Sequence, residues 1–136
     1  MAFSGCTSLV GLTIPNSVIP IMGYAFSDCT GLTNILLLDS IDIIEDGVFR
    51  NCISLTNITI PNNVRYIWKS AFEGCVGLTS IAIPDSVREI RECAFRGCSN
   101  LINITIPDSL TEIGHHAFFG CQGKPKSILL TSSLDR

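Results

Sequence analysis

The sequence predicts a repeat solenoid, a right-handed superhelix with a parallel β-sheet on its concave face and short helical turns or 3-10 segments on the other side. Cysteine recurs every 23 residues, and phenylalanine keeps the same interval three residues earlier. The two columns are Phe3, Phe26, Phe49, Phe72, Phe95 and Phe118, and Cys6, Cys29, Cys52, Cys75, Cys98 and Cys121. Because a fixed period of about 20–50 residues is typical of stacked structural units, the core is expected to form between successive coils.

The strand of each unit is predicted from alternating apolar and polar residues. Leu9 is followed by Leu12 and Ile14, and the spacing L-x-x-I-x-I returns in the later units, usually with proline after it. Side chains that alternate in this way lie on opposite faces of a strand, so one face is buried and the other is exposed. Strands are therefore expected to centre on Thr13, Leu36, Thr59, Ala82 and Thr105.

The remainder of each unit returns the chain to the next strand. A V-x-x-I segment such as Val64 to Ile67 carries apolar residues inward on the far side of the coil. An A-F-x-G-C segment such as residues 71–75 is expected to form one tight helical turn. Alanine leaves room for close packing there, and the phenylalanine rings are expected to stack along the interior.

One domain is expected over residues 1–136, with repeats starting near residues 3, 26, 49, 72, 95 and 118. The tail 122–136 is expected to be irregular, and a one-residue insertion after Cys121 brings residues 127–130 into the position of a strand. Neither end shows a dedicated cap. An uncapped end exposes core, which is either a liability or a docking surface.

The repeat resembles the BspA-like class of leucine-rich repeats, which has a unit of 23 residues. The blocks L-x-x-I-x-I-P-x-S-V-x-x-I and A-F-x-x-C carry the resemblance, from residue 3 to about residue 121. The resemblance implies a binding scaffold and names no partner. It also implies a cell-surface or secreted protein of bacteria or protists, often an adhesin.

Charge and hydropathy disfavour several classes of partner. The net charge is −3 and the sequence pI is about 5.2, without the basic stripe that a nucleic-acid surface needs. No apolar run approaches the roughly 20 residues of a membrane span. The N-terminus lacks the basic and apolar regions of a signal peptide. Localisation stays open, because the resemblance suggests the cell surface while free cysteines are compatible with the cytoplasm.

The column cysteines are interpreted as buried, reduced core residues, because they share the period of phenylalanine and leucine. Stacked Cβ atoms run parallel and converge poorly for disulfides. A zinc site drawn from Cys93, His116, Cys98 and Cys121 is the alternative, although no short Cys-x-x-Cys spacing supports it. No metal or cofactor is expected.

Catalysis is not predicted. His115 and His116 are the only histidines, and the interpretation is an exposed turn before Phe118. The carboxylate pair Glu45 and Asp46 is expected on a solvated face. No serine stands in a nucleophile elbow.

Two outward surfaces are predicted. The concave sheet should present small, uncharged side chains, namely Asn34, Asn57, Thr59, Ser80, Asn103 and Thr105. Asn57 and Asn103 also begin Asn-Ile-Thr sequons for N-glycosylation. The same residues are equally explained as part of a strand whose polar side chains point outward. The V-x-x-I arm should present larger side chains, namely Met22, Ile43, Arg65, Tyr66 and Trp68. Tryptophan, tyrosine and arginine dominate interface energetics, although Tyr66 and Trp68 could instead fold over the coil edge and shield Ile67.

The sequence therefore favours a non-enzymatic protein-interaction module that contacts its partner through the flank more than through the concave sheet. The alternative is a structural repeat protein that associates with itself through uncapped ends or an apolar flank, giving a homo-oligomer.

Overall fold

The computed structural model describes residues 3–14 and 21–124, which wind as a parallel-sheet β-solenoid. We number the coils 1 to 6 by their column phenylalanines, from Phe3 to Phe118. The strands of the described residues are β1 (Gly11–Ile14), β2 (Asn34–Leu37), β3 (Ile43–Ile44), β4 (Tyr66–Ile67), β5 (Ser80–Ala82), β6 (Glu89–Ile90), β7 (Asn103–Thr105) and β8 (Glu112–Ile113). The expected strand at residues 127–130 lies outside the described residues.

The pairing register reproduces the sequence period. Gly11 pairs with Asn34 in β1 and β2, and Ser80 pairs with Asn103 in β5 and β7, so partners are 23 residues apart. Every strand pair among the described residues is parallel. One repeat unit is therefore one coil.

The concave strands follow the prediction except in coil 3. Strands include Thr13, Leu36, Ala82 and Thr105 as expected, but residues 55–60 form none, so the expected strand at Thr59 is wrong. Ile58 and Ile60 are nevertheless 7% and 4% exposed. Coil 3 keeps the alternate burial of a strand without its paired ladder, and the sheet is interrupted there.

A second parallel sheet, which we call the flank sheet, lies on the V-x-x-I arm. It has the strand order β3-β4-β6-β8 and spans four successive coils. Each strand is two residues long and ends on an inward isoleucine. The sequence predicted an inward turn of the chain here but not a hydrogen-bonded sheet.

We call the segments around the column phenylalanines, such as residues 23–28, the wall of the solenoid. The wall is made of β-turns, so the expected helical turns are wrong for the described residues. In coil 2 the Ala25 N–H donates to the Met22 carbonyl, and the Ser27 N–H donates to the Tyr24 carbonyl. Tyr24 and Asp28 have φ angles of 59° and 61°. Left-handed residues on both sides of each column phenylalanine from Phe26 to Phe118 stop a helix from forming.

Backbone hydrogen bonds join the wall of each coil to the wall of the next. The N–H of Phe49 donates to the Ala71 carbonyl at 2.9 Å, and the N–H of Phe72 donates to the Ala94 carbonyl at 2.7 Å. Gly47 and Asn51 donate to coil 4 in the same direction. On the wall, therefore, N–H groups point toward the C-terminal end of the solenoid and carbonyls point toward the N-terminal end.

The phenylalanine rings form one continuous stack, as predicted. Successive centroids are 5.1–6.0 Å apart, with interplanar angles of 2–21°. Phe49, Phe72 and Phe95 are completely buried, whereas Phe3 at the end of the stack is 48% exposed. Large apolar side chains thus supply the core that a single coil lacks.

Each column cysteine from coil 2 onward donates its thiol to a carbonyl of the preceding coil. The Cys52 Sγ lies 3.2 Å from the Phe26 oxygen, and the Cys75 Sγ lies 3.1 Å from the Phe49 oxygen. Cys29, Cys98 and Cys121 repeat the contact. All seven cysteines are free thiols. The column is therefore a ladder of hydrogen-bonded core side chains.

Candidate interaction surfaces

The flank sheet brings three of the predicted flank residues together. Ile43 and Tyr66 are register partners in β3 and β4, and both are half-buried. Arg65 precedes Tyr66 and is exposed, and its N–H donates to the Asp42 carbonyl at 2.7 Å. The short strands thus hold an aliphatic, an aromatic and a cationic side chain side by side.

Trp68 follows β4 and lies on the same side of the chain as Tyr66. Its backbone N–H donates to the Ile44 carbonyl at 2.9 Å, and its ring is half-buried. The Arg91 guanidinium lies 4.9 Å from the ring centroid, and its Nε is 3.4 Å from Glu89 Oε1. The indole Nε1 is buried and has no acceptor among the described residues. The ring is thus held between its own coil and a cation from the next coil.

Met22 occupies the same repeat position as Trp68, two coils earlier, and is 63% exposed. Glu45 occupies that position in the coil between them and is half-buried. Burial, followed by the charges of Asp46 and Asp42, raises the pKa of the Glu45 carboxyl. This repeat position therefore carries a carboxyl group in coil 2 and, at Arg91, a guanidinium in coil 4.

The concave face presents all six side chains that were predicted for it. These exposed residues are Asn34, Asn57, Thr59, Ser80, Asn103 and Thr105. A shallow groove of about 560 Å³ runs over coils 1 to 3 of this face. It is lined by Asn34, Leu36, Asn57 and Thr59 with neighbouring strand residues, and none of the lining side chains is charged. Glycosylation at the two sequons remains untested, and the asparagine side chains of both are exposed.

Two surface features were missed from the sequence. The stacking of Arg91 on Trp68 joins residues 23 apart, so the repeat period itself contained the signal. Ile53 and Val76 are 45% and 37% exposed and occupy adjacent coils directly after their column cysteines. Apolar character alone does not mark a residue as exposed, but each of these two side chains lies at the surface, next to the column cysteine.

The cysteine and histidine residues of the zinc alternative do not form a metal cluster in the part of the chain that the structure describes. No group of three or more His, Cys, Asp or Glu residues there could hold a metal ion. Cys98 is buried and donates to the Phe72 carbonyl, whereas Cys93 and His116 are half-buried at left-handed positions, each with φ of 59°. Within the described ranges, moreover, no helix is long and apolar enough to cross a membrane.

Solved structures with the same fold come from bacterial leucine-rich repeat proteins. The leucine-rich repeat protein of T. pallidum is 29% identical with a TM-score of 0.77, over 82% of this chain and 54% of that one. A leucine-rich cell surface protein of Faecalibacterium prausnitzii is 35% identical with a TM-score of 0.69, over 90% and 28%. A leucine-rich repeat protein of Eubacterium ventriosum is 26% identical with a TM-score of 0.84, over 95% and 35%.

This chain thus spans about half or less of the length of these solved proteins. No curated protein matches its sequence significantly. The model of the BspA type leucine-rich repeat region matches six copies, over residues 1–101 and 66–136, which together cover the whole sequence. The chain therefore belongs to the BspA type leucine-rich repeat family.

Proposed function

We propose that the chain is a non-enzymatic module that binds a protein partner through the flank sheet, with Trp68 at the centre of the contact. The observation that carries the proposal is the packing of Trp68 under Arg91, 4.9 Å from the ring centroid. A ring held in place before binding loses little side-chain freedom when a partner covers it. Tryptophan, tyrosine and arginine are also the side chains that most often dominate binding energy.

The neighbouring residues suit the rim of such a contact. Arg65 is exposed beside half-buried Tyr66 and Ile43, and Met22 extends the apolar surface toward coil 1. The concave groove, in contrast, offers mainly small neutral side chains, and its most exposed large apolar side chain is Leu36, which is 52% exposed. Large side chains that lose water on binding concentrate affinity, so we favour the flank.

A surface role is part of the proposal. One solved relative is described as a cell surface protein, and the family resemblance points the same way. Presentation of a rigid repeat surface to a protein on another cell, as an adhesin does, requires no chemistry at the site. Repeat solenoids use extended surfaces in this manner.

The test is a comparison of variants in partner capture from extracts of the source organism, followed by titration of the captured protein. Trp68→Ala is expected to weaken association by about 2 kcal/mol, because the ring and the stacked Arg91 lose their common contact. The fold should persist, since Met22, Glu45, Arg91 and Gly114 occupy the equivalent position in other coils.

Asn57→Arg on the concave face is the matched control and should bind normally, because Asn57 is exposed and remote from the flank sheet. Normal binding by Trp68→Ala together with loss of binding by Asn57→Arg would move the site to the concave face. Circular dichroism of both variants checks that each remains folded.

A further inference from the structure

We infer that a second copy of this chain binds the flank sheet face to face, in a closed dimer whose two-fold axis runs parallel to the strands between coils 2 and 3. The inference rests on the flank contact proposed above and names its partner. The sequence leaves self-association through an apolar flank open as an alternative. The structure supplies the register of that contact and the side chains that meet in it.

The charge of the flank changes sign from coil 2 to coil 3. Residues 41–46 contain three acidic side chains and no basic one, whereas the equivalent residues 64–69 contain two basic side chains and no acidic one. Asp42, Arg65 and Lys69 are exposed, and none of them forms an ion pair within residues 3–14 and 21–124. Charges of both signs are therefore available to a second copy.

The carboxyl groups of coil 2 lie close to one another. Burial, followed by the charges of Asp46 and Asp42, raises the pKa of the Glu45 carboxyl. The Asp46 Oδ1 accepts the Lys69 backbone N–H at 3.2 Å, which leaves the Lys69 ammonium itself uncommitted. A cation from a second copy would offset the repulsion between these carboxylates.

The register of the dimer follows from the register of the flank sheet. An axis between coils 2 and 3 places each residue of coil 2 opposite the residue 23 positions later in the second copy, and each contact occurs twice. The facing pairs are Asp42 with Arg65, Ile43 with Tyr66, Glu45 with Trp68, and Asp46 with Lys69. Glu45 would also lie near the guanidinium of Arg91, which covers the Trp68 ring at 4.9 Å from its centroid.

Neighbouring registers bring like charges together. An axis between coils 3 and 4 would place Arg65 opposite Arg88 of the second copy. An axis through coil 3 would place Arg65 and Lys69 each opposite its own equivalent, and an axis through coil 2 would do the same for Asp42. Because like charges at close approach cost Coulomb energy, the register between coils 2 and 3 is favoured over these three.

The apolar part of the contact lies between the two rows of charges. Half-buried Ile43, Tyr66 and Trp68 would lose water against the same residues of the second copy. Large side chains at the centre and charged side chains at the rim are the usual anatomy of a protein interface. The contact spans two coils of each copy, so the area is small and the association is expected to be weak.

Sedimentation velocity of the chain from about 10 µM to about 1 mM tests the inference in the range of weak association constants. The weight-average mass should approach twice the 14.7 kDa of the monomer and stop there, because a two-fold contact is closed. Arg65→Asp and Asp42→Arg should each stay near 14.7 kDa, since either change alone opposes like charges twice. An equimolar mixture of these two variants should recover the dimer, because opposite charges then face each other in both pairs.

Recovery in the mixture separates a lost contact from a lost fold, since two misfolded variants would not restore each other. Arg96→Asp is the matched control, because it makes the same change of charge at an exposed residue on the wall of coil 5. It should dimerise as the unchanged chain does. A monomer at every concentration, growth beyond the dimer, a mixture that stays monomeric, or equal loss of association in Arg96→Asp would each overturn the inference.

The failure of this inference can be told from the failure of the proposed function. A monomeric chain that still captures another protein, with capture weakened in Trp68→Ala, would overturn the dimer and leave the flank as the site of binding. A dimer that forms equally well in Trp68→Ala would instead remove Trp68 from the centre of the contact.

Discussion

At the scale of single residues, each column phenylalanine carbonyl in the interior serves two donors. The Phe26 oxygen accepts the N–H of Cys29 at 3.3 Å within its own coil and the thiol of Cys52 at 3.2 Å from the next. Valine would fill a similar space but would not donate to the carbonyl, and serine would add a hydroxyl with a higher cost of burial. Cysteine combines small apolar volume with a weak donor, which accounts for its recurrence at this position.

The buried thiols of the column make the stability of the fold depend on pH in the alkaline range. Burial raises the pKa of the Cys52 thiol from an unfolded value of 9.0 to about 12, and burial also raises the pKa values of Cys29 and Cys75. The folded state therefore holds protons that the unfolded chain releases above pH 9. This stabilisation is fully present below pH 9 and is lost as pH rises through the folded pKa values. At pH 10 we expect the Cys52 thiol to account for a loss of about 1 kcal/mol in the free energy of unfolding, measured by urea unfolding at pH 7 and pH 10.

Cys52→Ala separates the thiol contribution from that of other groups. The variant is less stable at pH 7, because a cavity forms and the Phe26 carbonyl loses its second donor. Between pH 7 and pH 10 the free energy of unfolding of the variant should fall by less than that of the unchanged chain. The difference should equal the contribution of one thiol. An equal loss in both proteins would show that the column thiols do not titrate with unfolding.

At the scale of elements, the ring stack sets a gradient of stability from the middle of the wall to its end. Phe72 lies between rings at 5.4 and 5.1 Å and is fully buried, so Phe72→Ala should cost about 3–5 kcal/mol in the free energy of unfolding. Phe3→Ala removes a ring that is 48% exposed and stacked on one side, and it should cost less than about 1 kcal/mol. Urea unfolding at low protein concentration measures both, and similar costs would contradict a stack with a free end.

The concave strands could be predicted because their signal is burial, which the alternation of apolar residues encodes directly. Residues 55–60 show the limit of that signal, since Ile58 and Ile60 are buried in the pattern of a strand that does not pair as one. The turns of the wall could not be predicted because non-glycine residues such as Tyr24, Ser70 and Cys93 adopt left-handed φ angles near 59°. Glycine would have signalled this conformation, but inter-coil hydrogen bonds impose it on other residues here.

The flank sheet escaped prediction for a different reason. Its strands are two residues long, which is too short for an alternation of side chains to appear in the sequence. The predicted flank residues Ile43 and Tyr66 are adjacent only because β3 and β4 pair in register. The candidate site was thus predictable as a set of residue types, whereas the Arg91 contact on Trp68 required the stacking of coils.

At the scale of the whole molecule, the solenoid repeats the same set of contacts between successive coils along its axis. Each coil bonds to the coils before and after it, so stability is approximately a sum over neighbouring pairs and the terminal coils have one partner each. Inter-coil N–H groups of the wall, such as that of Phe49, donate to the following coil, whereas N–H groups of the flank, such as those of Trp68 and Arg91, donate to the preceding coil. The inter-coil bonds of the wall and of the flank therefore have opposite directions along the axis.

Hydrogen exchange should report this polarity residue by residue. In a dilute sample, the N–H groups of Phe49, Phe72 and Phe95 should exchange slowest, because each is bonded to the next coil at 2.7–2.9 Å and its side chain is fully buried. The N–H groups of Phe118 and Gly120 should exchange much faster, because they have no acceptor among residues 3–14 and 21–124 although they occupy equivalent positions in the repeat. Exchange of Phe118 and Gly120 as slow as that of Phe95 would contradict the prediction and would show that an acceptor outside residues 3–14 and 21–124 covers these N–H groups.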